Sequence, residues 1–277
     1  MSAPLALLAV AALAGAATLS NQARIGSRAR SRTKRVGVKD EQRGEMKSHT
    51  TKLMREGHWE SVLAKGEEDV FEPPTDFSGE DLSGAKLSKA TLSHLTFEKS
   101  NLTKASLDGA YLVNANLREA NLSDADASDA DLSDARLMGA KLVRAKLDSA
   151  ILEEASLTDA NLTDARLVRA SLHLADLSRA RLAGADLSGA HLSSAKLIGA
   201  DLRGANLTNA SLVGANLTNA KLDGANLTDA NLENAILPKG FLAPNTKVAS
   251  VNWRGDPAGW KAIASPRGAR FLPASKA

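Results

Sequence analysis

An all-β solenoid is the fold class that this 277-residue sequence predicts, and three regularities predict it. A leucine occupies every fifth position from 82 to 242, at 31 of 33 places, with Phe97 and Ala127 the exceptions. An alanine stands two residues before it from 85 to 235, at 29 of 31 places, broken only by Leu95 and Ser100. The remaining positions hold turn formers: Asp81, Asn101, Asn121 and Asp186 before the leucine, Ser83, Thr103 and Thr163 after it, then Gly84, Gly109, Asn209 or Asp124. A period this strict governs the fold of the whole segment.

Neither regular element accommodates it. Leucines five apart step around an α-helix by about 140°, so they form no apolar stripe. On a flat strand they point alternately up and down. The pattern becomes consistent if the chain turns a corner in every pentad, resetting the inward direction each time. Leucine then points inward from a short extended piece, alanine tucks in beside it, and the other three positions face water. Gly and Asn tolerate the positive φ of a type II turn, and Asp, Ser and Thr bond their own backbone there.

Read as A-[DN]-L-[ST]-[GND], the segment resembles the pentapeptide-repeat family, with Ala185-Asp186-Leu187-Ser188-Gly189 and Ala225-Asn226-Leu227-Thr228-Asp229 matching its consensus. The resemblance spans 76–242. It implies a right-handed quadrilateral β-helix of about eight coils, four pentads to a coil. Residues 20 apart would then stack about 4.8 Å from one another, giving a rod about 40 Å long.

The flanking elements follow in order. Residues 1–39 carry seven basic residues and no acid, with an Ala/Leu-rich run from Leu5 to Leu19 and a small-x-small site at Ala14-Gly15-Ala16. Hydrophobic first and Arg/Ser-rich second resembles the bipartite leader of complex plastids, with delivery to stroma or thylakoid lumen. A secretory signal followed by a basic linker, leading to secretion or the periplasm, is the alternative. The apolar run is too short for a membrane span, so no transmembrane segment is expected in the mature chain. Residues 40–75 form a helical extension, with Met46, Leu53, Met54, Trp59, Val62 and Leu63 at helical spacing and Glu72-Pro73-Pro74 as its stop. Residues 243–277 bring Trp253, Trp260, Ile263 and Phe271 with a net positive charge. Since an open solenoid end exposes leucines and unpaired backbone, Trp253, Trp260 and Phe271 read as a C-terminal cap; a homodimer contact through them is the sharper reading.

Chemistry is sparse. There is no cysteine, which excludes disulfides and thiolate sites. Sorted by a 20-residue period, the outward residues of three faces sum to about neutral. The face centred on Leu92, Leu112, Leu132 and Leu152 carries five acids and no Lys or Arg. Tyr111, Val113, Asp131, Asp134, Ile151, Glu153, Glu154, His173, Leu174 and His191 lie there and form the candidate partner-binding face; a solvated acidic surface is the plainer reading. Glu153 and His173 stack as a potential acid–base pair. A flat solenoid face nevertheless offers no pocket, so no catalytic, cofactor or metal site is expected. Ala127 sits in a leucine slot and predicts a cavity.

These features favour a non-catalytic scaffold that presents flat faces to protein partners. One concrete version is a peripheral subunit or assembly factor of a membrane photosynthetic complex in a plastid. The alternative is a DNA mimic acting on a topoisomerase or another DNA-binding protein. That role needs about twenty negative charges over 40 Å, whereas residues 81–240 net −3. Nor does the rod interleave aromatics with basic residues for base stacking, so no nucleic-acid partner is expected.

Overall fold

A computed structural model of the protein describes residues 51–57, 75–239 and 246–247. From Asp76 onward the chain winds in coils of four pentads. Every bridge is parallel, and all those from Asp76↔Thr96 to Asn216↔Ile236 join a residue to the one 20 further on. The ladders consist of single-residue bridges, because each pentad turns a corner before a longer strand can form.

Two stacked pentads, 81–85 and 101–105, show where the five backbone N–H groups of a repeat go. Leu82 donates to the Asn101 carbonyl at 2.7 Å, Gly84 to Thr103 at 2.8 Å, and Asn101 returns a bond to Glu80 at 2.8 Å. Ala85 closes the turn onto the Leu82 carbonyl at 3.0 Å. The fifth donor, on the residue after leucine, goes to a side chain: Ser83 N–H to Asp81 Oδ1 at 3.1 Å, and Thr103 N–H to Asn101 Oδ1 at 3.2 Å. The Thr103 hydroxyl donates to the same oxygen. This is why Asp or Asn precedes leucine so often: it satisfies the one donor that the ladder leaves over. Where Arg166 holds that place, Val168 N–H bonds instead to Asp148 Oδ1, one coil back.

The residue two after each leucine has φ between 55° and 71° at every pentad from Gly79 to Asn234, and its predecessor does not, so every corner is a type II turn. Twenty-two of these positions are not glycine. Sequence reasoning anticipates Gly, Asn and Asp here. The lysines, arginines, glutamates and Leu174 show that the ladder imposes the conformation even where local preference opposes it.

The interior is a stack of leucine columns at 0–2 % exposure with alanines beside them. The exceptions to the repeat have local causes. Phe97 sits one coil above Phe77 and the two rings stack at 5.5 Å between centroids. Ser100 is buried in an alanine slot and its hydroxyl donates to the Phe97 carbonyl at 2.8 Å. At Ala127 the backbone runs on undisturbed, with Ala127 N–H to Lys146 at 2.7 Å and Leu107 N–H to Asp126 at 2.6 Å. The ladder on both sides holds its spacing around the missing side chain.

Helix α1 (51–56) lies against the first coil. Met54 is buried, the Thr51 hydroxyl donates to Glu80 at 3.0 Å, and Arg55 approaches Asp81 at 3.8 Å. Gly57, at φ 87°, closes the helix with its N–H on the Met54 carbonyl. The rest of the 40–75 extension expected to be helical, other than 75 itself, falls outside the described residues. At the far end, Lys247 pairs with Asn226, an interval of 21 instead of 20, and Thr246 anchors its hydroxyl on the Leu222 carbonyl at 2.8 Å. One residue has thus been gained between 237 and 246. The leader (1–39), Leu242, and the aromatic residues Trp253, Trp260 and Phe271 lie outside the described residues.

A candidate partner-binding face

The four faces differ in how they handle charge. On three of them, several acids meet bases, most of them one coil away. Arg144 grips Asp124 through two bonds of 2.8 Å, Arg179 grips Asp159 at 2.8 and 2.7 Å, and Lys146 reaches Asp126 at 3.1 Å. Arg203 closes on Asp201 within its own turn at 2.7 and 2.6 Å. The guanidinium beside each of Asp124, Asp159 and Asp201 holds its carboxyl below the usual carboxylate range. At Asp126 burial pushes the other way, but bonds from Ser128 and Lys146 outweigh it.

The sign of the pH dependence follows. A carboxyl lowered in the folded state contributes stability above its unfolded value, about pH 4, and loses it as pH falls through the folded values. The urea midpoint should therefore be flat from neutrality to about pH 4 and decline below it. High salt should shrink the part of that decline owed to the exposed pairs. A midpoint that rises on acidification from pH 5 to 3 contradicts this account.

The fourth face is built differently. Its outward residues, from Thr91 to Asn234, include Asp131, Asp134, Glu153, Glu154 and Glu233 and no Lys or Arg, a formal charge of −5. The fold sorts the predicted residues into three parallel columns. Tyr111, Asp131, Ile151 and His191 belong to one continuous ladder, with Ser171 between the last two. Val113, Glu153 and His173 occupy the column after the leucines. Asp134, Glu154 and Leu174 occupy the turn column, at φ 57°, 57° and 58°. Tyr111, Ile151 and Leu174 are exposed at 54 %, 39 % and 45 %. Two further exposed apolar residues, Ile198 and Ile236, project from the neighbouring Leu117 face.

Two details were not visible beforehand. The Glu153 carboxylate, expected to face His173 as an acid–base pair, instead accepts the Ser171 hydroxyl at 2.8 Å. Leu174 is the one apolar side chain among the 22 non-glycine residues held at positive φ. The signal was present in the sequence, since Leu174 breaks a column otherwise filled by Gly, polar and charged residues. Its weight becomes clear only once that column is known to be left-handed. Replacing Leu174 by glycine should raise stability by about 1 kcal/mol, the left-handed penalty less the entropy of glycine, as read from the urea midpoint. An unchanged or lowered midpoint would show that the leucine packs favourably in place.

Among the described residues no group of three or more His, Asp or Glu side chains could hold a metal ion. No helix among them is long and apolar enough to cross a membrane.

Comparison with known proteins identifies the architecture. The family model for pentapeptide repeats matches in eight copies over residues 75–103, 105–142, 140–179, 175–212 and 200–237. Among solved structures, the chain is similar to HetL of the cyanobacterium Nostoc sp. strain PCC 7120, a pentapeptide-repeat protein involved in regulating heterocyst differentiation. Identity is 35 %, coverage is 72 % of this chain and 90 % of that one, and the TM-score is 0.38. It is similar at 18 % identity to QnrB1, a plasmid-mediated fluoroquinolone resistance protein, over 66 % of this chain and 93 % of that one, TM-score 0.38. It is also similar at 36 % identity to a pentapeptide-repeat protein of the Arabidopsis thaliana thylakoid lumen, over 41 % of this chain and 68 % of that one, TM-score 0.17. No curated protein matches the chain. With the family model matched over more than half its length, this chain belongs to the pentapeptide-repeat family, whose members are right-handed quadrilateral β-helices and generally non-catalytic structural or interaction proteins.

Proposed function

We propose that the protein is a non-catalytic scaffold: a rod of about eight coils, covered at its N-terminal end by α1 and at its other end by the 243–277 segment, that docks protein partners on the Leu92–Leu232 face. One observation carries the reading. That face alone combines exposed apolar side chains with acids that no Lys or Arg of the face offsets, the pairing of properties that marks interaction surfaces. Tyr111, Ile151 and Leu174 are its apolar anchors. Asp131, Asp134, Glu153 and Glu154 set its polarity, and Val113, His173 and His191 fill the columns between.

The leader composition of residues 1–39 supports an address in a plastid, in stroma or thylakoid lumen, where a peripheral subunit or assembly factor of a photosynthetic complex is the concrete role. Secretion or the periplasm is the alternative address. The charge of the rod opposes a DNA-mimic role, for the reason of magnitude given above.

The test is affinity capture of the mature protein from its native compartment, in parallel with a variant carrying Tyr111→Ser, Ile151→Ser and Leu174→Ser. All three side chains point outward, so the variant should fold. A partner retained by the parent and lost from the variant supports the reading. Identical sets of partners on both would sink it.

A further inference from the structure

We propose that the occupant of the Leu92–Leu232 face is a basic polypeptide segment of a second protein, carrying apolar side chains at intervals and lying along the rod axis. This rests on the docking role proposed above and adds the chemistry and direction of the partner.

Charge gives the first part. Elsewhere on the rod the acids Asp124, Asp126, Asp159 and Asp176 each meet a Lys or Arg of the adjacent coil, 20 residues on. On this face Asp131, Asp134, Glu153 and Glu154 occupy consecutive coils with no basic residue in any column. Asp131 and Glu153 accept bonds from the neutral Ser133 and Ser171, which leaves a net negative face that a cationic partner complements. Membrane surfaces and nucleic acids are anionic and are repelled. A metal ion finds no group of three ligands among the described residues. What remains is a cationic polypeptide, which can neutralise the acids and cover the apolar anchors at once.

Geometry gives the second part. Tyr111 and Ile151 stand in one ladder with Asp131 between them, two coils or about 9.6 Å apart at the usual strand spacing. A segment lying along that ladder meets an apolar, an acidic and an apolar site in turn, with the Glu153–Glu154 pair and Leu174 beside the last. It would match this with an apolar side chain about every third residue in a polyproline II conformation, or about every seventh if helical, with Lys or Arg between.

The experiment titrates the full chain with labelled synthetic peptides and reads fluorescence anisotropy. One peptide alternates Lys and Leu at the stated spacing, one has the same charge with Ser for Leu, and one has Glu for Lys. The Lys/Leu peptide should bind at least tenfold more tightly than either other. Binding should fall at least tenfold in Glu153→Lys/Glu154→Lys and again in Ile151→Ser/Leu174→Ser, and stay unchanged in Asp186→Lys on another face. Equal binding of the Lys/Ser peptide, or equal loss in the Asp186 variant, overturns the proposal. So does binding that appears only when the chain is cut after Lys247, which would make this chain's own basic 248–277 segment the occupant, or a peptide effect traced to dissociation of a homodimer. If capture from the native compartment finds a partner on this face whose contacting segment is acidic or uncharged, the docking role stands and this inference fails. If capture finds no partner on this face, the docking role itself fails.

Discussion

Replacing Leu157 by alanine should lower the stability of the rod by about 3–5 kcal/mol, the upper range for a buried leucine. The side chain is fully buried in a column between Leu137 and Leu177. A cavity there has little means of collapsing, because the backbone on both sides is pinned by ladder bonds, Leu137 N–H to Ser156 and Leu157 N–H to Asp176, both 2.7 Å. In a solenoid each coil contacts only its neighbours, so the damage should also be local. Hydrogen exchange should quicken first in the coils holding 137–177 and only later near 87 or 227. A loss below 1 kcal/mol by urea unfolding, or uniform acceleration along the chain, would show that the coils adjust more freely than the ladder suggests.

The converse substitution is Ala127→Leu, and it should stabilise by about 1–3 kcal/mol. Ala127 is 2 % exposed between Leu107 and Leu147 in its column, and the coil there keeps its hydrogen bonds, with Asp129 N–H on the Asp148 carbonyl at 2.9 Å and Ala130 N–H on Ala127 at 3.2 Å. An intact ladder leaves room for the side chain that every neighbouring coil of that column carries. Filling it restores apolar burial without moving the backbone. A lower thermal midpoint in this variant would mean that the surrounding leucines have already closed into the space.

These two variants probe what was most legible in the sequence. Leucine and alanine registers at a five-residue period leave one consistent solution, a chain that turns in every pentad. The turning corners and the buried columns follow from it, whereas the 20-residue ladders rest on the four pentads per coil that the family resemblance implies. The reason for Asp or Asn before leucine was half legible: its turn-forming role could be read, but its duty to the one leftover N–H required the ladder to be drawn first. Phe97 read as a mere exception until Phe77 was placed one coil below it. The left-handed lysines and arginines were not legible, since local preference argues against them and only the ladder overrides it.

The candidate face was legible as a column sum, because a strict period turns residue number into surface position. Its internal contacts were not. Whether Glu153 turns to His173 or to Ser171 depends on side-chain rotamers that spacing does not determine. The segments that flank the rod lack a period, so their placement could be reasoned only from composition.

The central claim is that position along the rod depends solely on how many 20-residue steps separate two residues. The chain has no cysteine, so spin labels can be placed in pairs by single substitutions at His94, Glu154, Ser194 and Asn234, all in the turn column of one face. Pulsed electron resonance should give separations growing by about 4.8 Å per 20 residues, from about 19 Å for 154–234 to about 34 Å for 94–234. Separations that do not scale with the number of steps, or that reach the much longer spans of helical chain at about 1.5 Å per residue, would contradict the coil, the face and the partner drawn on it.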